Sequence, residues 1–250
     1  MNLDNDIILI DGIPVAYVKS LKALVVADIH LGYEGVMAEK GILIPKVNLI
    51  TIEKYINKAL EKVDASEIIV DGDIKNDFSK VDVEEFNELL DFIKFLKSKN
   101  LSIILIKGNH DNFVEKYKDA FNLKVYRQEV AIGKYLFLHG EELPDEKDLK
   151  NVKMLIMGHE HPAISIYNNA GSKEKLKCFL YGDYKGKKIL VLPAMSYFAG
   201  GTDVNVIPKE LLLSPLFKYI NVDSMKAFIV GYDSTMDFGT VDLLKKGLTE

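Results

Sequence analysis

Short apolar runs that stop abruptly at a polar cluster alternate with amphipathic stretches along the first half of the chain. Ile7 to Ile10 and Val15 to Val18, separated by Asp11-Gly12-Ile13-Pro14, predict a hairpin. Ala23 to Ala27 is fully apolar and ends in Asp28-Ile29-His30. Ile68 to Val70 ends in Asp71-Gly72-Asp73, and Leu101 to Ile106 ends in Lys107-Gly108-Asn109-His110-Asp111. Between the first two of these runs, Leu49, Ile52, Ile56, Ala59, Leu60 and Val63 recur at helical spacing, with Pro45 expected at the helix start. Before the third, Asp82 reads as an N-cap with Glu85 three residues on. Phe86, Leu89, Leu90, Ile93 and Leu96 then carry a helix to Ser98. Strand, helix and strand in this order give parallel strands joined by crossovers. Asp111 reads as the N-cap of a further helix near Asn112 to Asp119, with an added role in orienting an imidazole.

The second half is mostly strands. Glu129 to Ile132 and Tyr135 to Leu138 predict a hairpin whose second strand ends in His139-Gly140. Lys153 to Met157 ends in Gly158-His159-Glu160-His161. Further strands are expected over Ala163 to Tyr167, Leu176 to Tyr181 and Lys188 to Leu192, with turns at Asn169-Ala170-Gly171 and Lys185-Gly186-Lys187. Ser196 to Thr202 is a small-residue loop that could line a cleft. A short helix over Pro208 to Leu213 and a last core strand over Lys226 to Tyr232 complete the pattern.

Taken singly, the polar ends are ordinary turns and caps. Taken together they are not, because all five histidines, His30, His110, His139, His159 and His161, follow directly on apolar strands. Asp28, Asp73 and Asn109 stand at strand ends as well. Strand alternation puts Asp28 and His30 on one side, and likewise His159 and His161. Imidazoles and carboxylates converging from several elements are what a divalent ion needs. A carboxylate such as Asp73 could bridge two cations about 3.5–4 Å apart, the spacing of two-metal phosphate ester hydrolysis. There is no His-Glu-x-x-His helix, no Gly-x-Ser-x-Gly elbow, and no dinucleotide fingerprint in the Gly200 loop.

Composition narrows the partners. At 250 residues, 48% hydrophobic and 28% charged, the chain reads as one globular domain over 1–250. Its net charge of −5 gives no global basic field, and Arg127 is the only arginine, so phosphate would have to be held mainly by metals and backbone. A single cysteine, Cys178, excludes an intrachain disulfide. The acidic amino terminus and the lack of a long apolar run predict a cytoplasmic protein with no membrane partner.

The order Asp28-x-His30, Gly72-Asp73, Gly108-Asn109-His110-Asp111, His139-Gly140, Gly158-His159-x-His161 resembles the calcineurin-like metallophosphoesterase superfamily. The segment Asp28-Ile29-His30-Leu31-Gly32-Tyr33-Glu34 looks most like the small phosphoesterases related to SbcD-type nucleases, including the DNA-ligase-associated group. The resemblance implies an α/β (α+β) fold, a four-layer αββα sandwich, with the motifs in 28–161 and further strands and an extension in 162–250. It implies one metal held by Asp28, His30, Asp73 and His161, and a second by Asp73, Asn109, His139 and His159. It also implies that His110 contacts the transferring phosphoryl group or protonates the leaving oxygen.

The function expected is hydrolysis of phosphate esters with two divalent ions, manganese first, with Fe, Zn, Ni and Mg compatible with the same donors. Phosphodiesters are the expected substrate, including nucleic acid cleaved by an SbcD-related nuclease. A phosphomonoesterase or nucleotide phosphodiesterase is the alternative within enzymes, and a metal-binding scaffold without turnover the alternative outside them. The apolar segment after Gly200 could serve a homodimer.

Overall fold

In the computed structural model, residues 1–77, 83–112, 114–167 and 171–246 are described. The Asp82 cap and most of the Asn169-Ala170-Gly171 turn lie outside them. The first sheet has the order β1 (Ile7–Leu9), β2 (Ala16–Val18), β3 (Ala23–Val26), β4 (Glu67–Asp71), β5 (Ser102–Ile106) and β6 (Lys124–Tyr126). The predicted hairpin forms β1 and β2, and β3 to β6 run parallel. Registers Val26↔Val70 and Val70↔Leu105 bring three carboxyl ends level, so the segments leaving β3, β4 and β5 lie side by side.

The second sheet contains β7 (Glu129–Ile132), β8 (Tyr135–Leu138), β9 (Met154–Met157), β10 (Pro162–Tyr167), β11 (Lys173–Tyr184), β12 (Lys187–Val191), β13 (Thr202–Asp203), β14 (Lys226–Val230) and β15 (Thr235–Thr240). Here β8, β9 and β12 are parallel, with Leu138↔Met157 and Val191↔Met157 aligned. His139 and Gly158 therefore leave neighbouring strands at one level.

Alternation along the strands explains the layering. Val25, Ile69, Ile104 and Ile106 face Phe137, Ile156, Phe179 and Leu190 between the sheets. Leu24, Val26, Ile68, Val70 and Leu105 face outward, against Ile52, Ile56, Leu89, Phe92 and Ile93. These last come from α2 (Asn48–Leu60) and α3 (Val83–Ser98), while α1 (Tyr33–Glu39) follows the first strand end. Outside the second sheet, Leu136, Leu155 and Ile189 pack on Leu149, Phe217, Val222 and Val241. The short α4 (Lys118–Phe121) precedes β6; α5 (Glu146–Leu149), α6 (Val241–Lys246) and 3-10 turns supply that outer layer. Two sheets flanked by helices, as expected, are thus present.

Several local expectations are corrected. The helix after Pro45 begins only at Asn48, because the Glu34 carboxylate accepts from the Val47 and Asn48 amides and caps it there. The run from Pro208 gives a single 3-10 turn, Lys209–Leu211. The last strand stops at Val230 and is followed by β15, an edge strand that leaves Met236 and Phe238 exposed. No helix among the described residues is long and apolar enough to cross a membrane.

Candidate metal centre

The strand-end residues converge where the two sheets meet, by a route different from the one expected. β3 stops at Val26, so Asp28 and His30 lie beyond it, in left-handed backbone with φ of 56° and 49°. His159 and His161 do the same after β9, with φ of 65° and 48°, and so does Asp73, at 51°. Strand alternation therefore does not aim these pairs; consecutive turns do. Of the nine non-glycine residues with positive φ among the described residues, five belong to this cluster. Each costs on the order of 1–3 kcal/mol, a cost that folded chains tolerate mainly at functional sites.

Backbone hydrogen bonds hold the turns. The Asp28 amide donates to the Gly72 carbonyl at 3.0 Å and the His30 amide to the Asp73 carbonyl at 2.9 Å. The His159 amide donates to both Asp28 carboxylate oxygens, at 3.2 and 3.1 Å, tying the second sheet to the first. Glycine is required for two approaches. A Cβ on Gly72, whose φ is 82°, would collide with the His139 ring. One on Gly158 would lie 2.6 Å from the Ala27 Cβ and 2.9 Å from an Asp28 carboxylate oxygen.

Two donor groups result. One ligand atom each from Asp28, His30, Asp73 and His161 lies within 4.8 Å of the others, and the same holds for Asp73, His139 and His159. Asp73 belongs to both. Asn109 joins the second group, its Oδ1 lying 3.3 Å from His139 Nε2. His139 Nδ1 donates to the Asp71 carbonyl at 3.0 Å, which turns Nε2 toward Asp73 Oδ2 at 3.4 Å and His159 Nδ1 at 3.1 Å. A fixed outer hydrogen bond of this kind orients a metal-ligating imidazole. Asp28, Asp73 and His139 are sealed, whereas Asn109, His110, His159 and His161 are half-buried and form the open side.

The electrostatics fit cations. Burial opposes ionisation of Asp28, but the charges of His161 and His139 outweigh it and hold the carboxyl below its ordinary value. Asp73 is lowered in the same way, against its burial, by His139, His30 and His110. Burial, and then repulsion from His161, pushes His30 down to about 4; burial and His139 push His159 down to about 4. Ionised carboxylates and neutral imidazoles are the forms that bind metal. His139 is raised instead: burial works against its charge, but Asp73 and Asp28 prevail. A cation entering there would take over that proton's role. His30 Nδ1, in addition, is buried without a partner among the described residues.

His110 is set apart from the donor groups. Its amide donates to Asp73 Oδ1 at 3.0 Å, its Nδ1 donates to the Asn76 carbonyl at 2.6 Å, and its Nε2 lies 3.9 Å from Asp73 Oδ2 on the open side. Beneath it is a polar network that the pattern along the chain did not reveal. Lys75 is only 1% exposed; its Nζ donates to the His110 carbonyl at 3.2 Å and to the Asp77 carbonyl, and pairs with Glu85 at 3.3 Å. Glu85 accepts from the Asn76 and Asp77 amides. Removing one member of a buried ion pair costs about 3–5 kcal/mol. Lys75→Met should accordingly lower the stability measured by urea denaturation by that order.

Asp111 is corrected in part: among the described residues after it, helical turns begin only at Val114, as a 3-10 turn to Tyr117 that runs into α4. The buried Asp111 carboxyl accepts from the Ile74, Lys75 and Gly108 amides, clamping the segments after β4 and β5 together. Burial, and then the charge of Asp73, raises it to about 7. Asn48 is a further residue the sequence reading missed. Its Nδ2 donates to the Ile29 and His30 carbonyls, and its Oδ1 accepts from the Tyr197 amide and the Ser196 hydroxyl. Away from this centre, a 670 Å³ cleft lined by Glu34, Lys46, Glu84, Glu88 and Asp91 is acidic and would repel phosphate.

The sequence model of the calcineurin-like phosphoesterase family matches residues 21–184. Nuclease MPE of Pseudomonas putida is 20% identical, with 92% of this chain and 94% of that one aligned at a TM-score of 0.63, a likeness of fold. The phosphoesterase Yfce of E. coli is 16% identical over 72% of this chain and 83% of its own, with a TM-score of 0.39. A search of curated proteins finds no match. Family members depend on two metal ions, and the family match over residues 21–184 takes in both donor groups sharing Asp73, so the chain belongs to the calcineurin-like phosphoesterases.

Proposed function

We propose that the chain is a two-metal phosphodiesterase, with nucleic acid as the first substrate class to test. The observation that carries this reading is the pair of donor groups meeting at Asp73 with His110 alongside. Asp28, His30, Asp73 and His161 would hold one ion; Asp73, Asn109, His139 and His159 would hold the other. Imidazole, carboxylate and amide donors suit manganese, and also Fe, Zn, Ni and Mg. When bound, the ions neutralise phosphate oxygens and make water a competent nucleophile near neutral pH.

The chain's own part is positioning and proton transfer. In its doubly protonated form His110 keeps Nδ1–H on the Asn76 carbonyl and offers Nε2–H to the open side. A leaving oxygen placed there can take that proton as its bond to phosphorus breaks. Lys75 and Glu85 hold the backbone beneath the ring, so its angle is set before substrate arrives. The sealed Asp28, Asp73 and His139 form the floor, which leaves the phosphoryl group to approach from the side of His110, His159 and His161. Nuclease MPE, similar in fold, is a nuclease, which supports a diester in preference to a monoester.

With manganese supplied, purified protein should hydrolyse bis-p-nitrophenyl phosphate at least about tenfold faster than p-nitrophenyl phosphate. Turnover of the monoester alone would overturn the diester reading, and turnover of neither would favour a metal-binding scaffold.

A further inference from the structure

Two segments that fasten to the metal centre bring aromatic rings together at its edge. Tyr33 opens α1, three residues after His30. Phe198 lies two residues after Ser196, whose amide donates to the Asp28 carbonyl at 3.0 Å. Because an extended chain spans at most about 3.6 Å per residue, Phe198 cannot be more than about 7 Å of backbone from that anchor. The rings of Tyr33 and Phe198 stack at 4.8 Å with 15° between their planes, and Tyr197 meets Phe198 edge-on at 5.1 Å. Tyr197 is 57% exposed, and Tyr33 and Phe198 are half-buried. Asn48 locks this arrangement to His30 by bonding the His30 carbonyl and the Tyr197 amide at once. The Thr202 amide, at the other end of the loop, donates to the His161 carbonyl.

Charge sharpens what such rings can do. The net charge is −5, and Arg127, the only guanidinium, is paired with Glu115. Bidentate guanidinium clamping of phosphate is therefore scarce, and ionic contacts to a strand fall to lysines. Aromatic faces offer a source of affinity that does not depend on it, since every base has a π-face to stack.

We propose that Tyr33, Tyr197 and Phe198 form a stacking platform for an unpaired nucleobase attached to the phosphodiester held at the metal centre. This rests on the phosphodiesterase reading of the site. A base already inside a duplex cannot reach the platform without being extruded, so the substrate class is single-stranded nucleic acid or a nucleotide diester. The Asn48 bridge makes the platform and the His30 turn one rigid unit, which fixes the base relative to the phosphate.

The test is binding, read by fluorescence anisotropy with manganese present and His110→Ala as the common background, so that the strand is held and not consumed. A labelled ten-residue oligothymidylate, an abasic oligomer of equal length and a duplex are compared, with a thymidine dinucleotide competitor to separate strand from nucleotide. The oligothymidylate should bind about tenfold tighter than the abasic strand. That ratio should hold between about 50 and 200 mM salt, because stacking is not a counterion term. Phe198→Leu should bring the ratio to within about twofold. Tyr197→Leu, at an exposed position, should lower it too and keeps the test decisive if the first variant misfolds. A ratio near one with all three rings in place, or an unchanged ratio in both folded variants, would overturn the platform. Equal affinities together with hydrolysis of bis-p-nitrophenyl phosphate would overturn it while leaving the phosphodiesterase reading intact. Base-selective binding without diester hydrolysis would support the platform and remove that reading of the reaction.

Discussion

Asp73→Asn should lower diester turnover by about three orders of magnitude, since metal assistance supplies several kcal/mol and each 1.4 kcal/mol is tenfold. The substitution is informative because it changes charge and little else. Asparagine can still accept the His110 amide hydrogen bond that Asp73 Oδ1 receives at 3.0 Å. What it cannot do is supply a carboxylate to two donor groups at once. Metal content measured by plasma mass spectrometry should therefore fall along with rate, from about two ions per chain to one or fewer. Full occupancy with full turnover would show that Asp73 is not shared.

His110→Ala should separate from Asp73→Asn in both respects. Metal content should remain at the level of the unaltered protein, because the ring's Nδ1 is engaged by the Asn76 carbonyl and its Nε2 is 3.9 Å from the carboxylate. Turnover should drop by about 10²–10⁴ for a diester with an alkoxide leaving group, the range of general acid catalysis. With p-nitrophenolate, which leaves without a proton, the loss should be far smaller. A uniform loss across leaving groups would remove the acid role, and loss of both metals would make His110 part of the metal-holding structure.

Much of this centre could be read along the chain because its residues sit where apolar runs stop. Ala23 to Ala27, Ile68 to Val70 and Lys153 to Met157 announce strands by composition alone, and the polar residues after them stand out against that background. Strand alternation gave the right convergence for a wrong reason: Asp28, His30, His159 and His161 are turned by left-handed backbone, which local propensity does not show. The supporting residues were illegible because their partners are remote in sequence. Asn48 bridges the Ile29–His30 and Ser196–Tyr197 segments. Lys75 is buried with its Nζ on the His110 carbonyl and against Glu85, ten residues on and more. Asp111 matches a helix-cap pattern yet accepts amides from the segment after β4, a tertiary choice that a four-residue motif cannot encode. The extra strand β15 was missed because its Met236 and Phe238 face outward, so no core-facing alternation marks it.

Anomalous scattering from crystals grown with manganese measures the central claim most directly. Two peaks about 3.5–4 Å apart are expected, with Asp73 between them. Asp28, His30 and His161 should surround one peak, and Asn109, His139 and His159 the other. A single peak, or peaks with no Asp73 oxygen in common, would contradict the account.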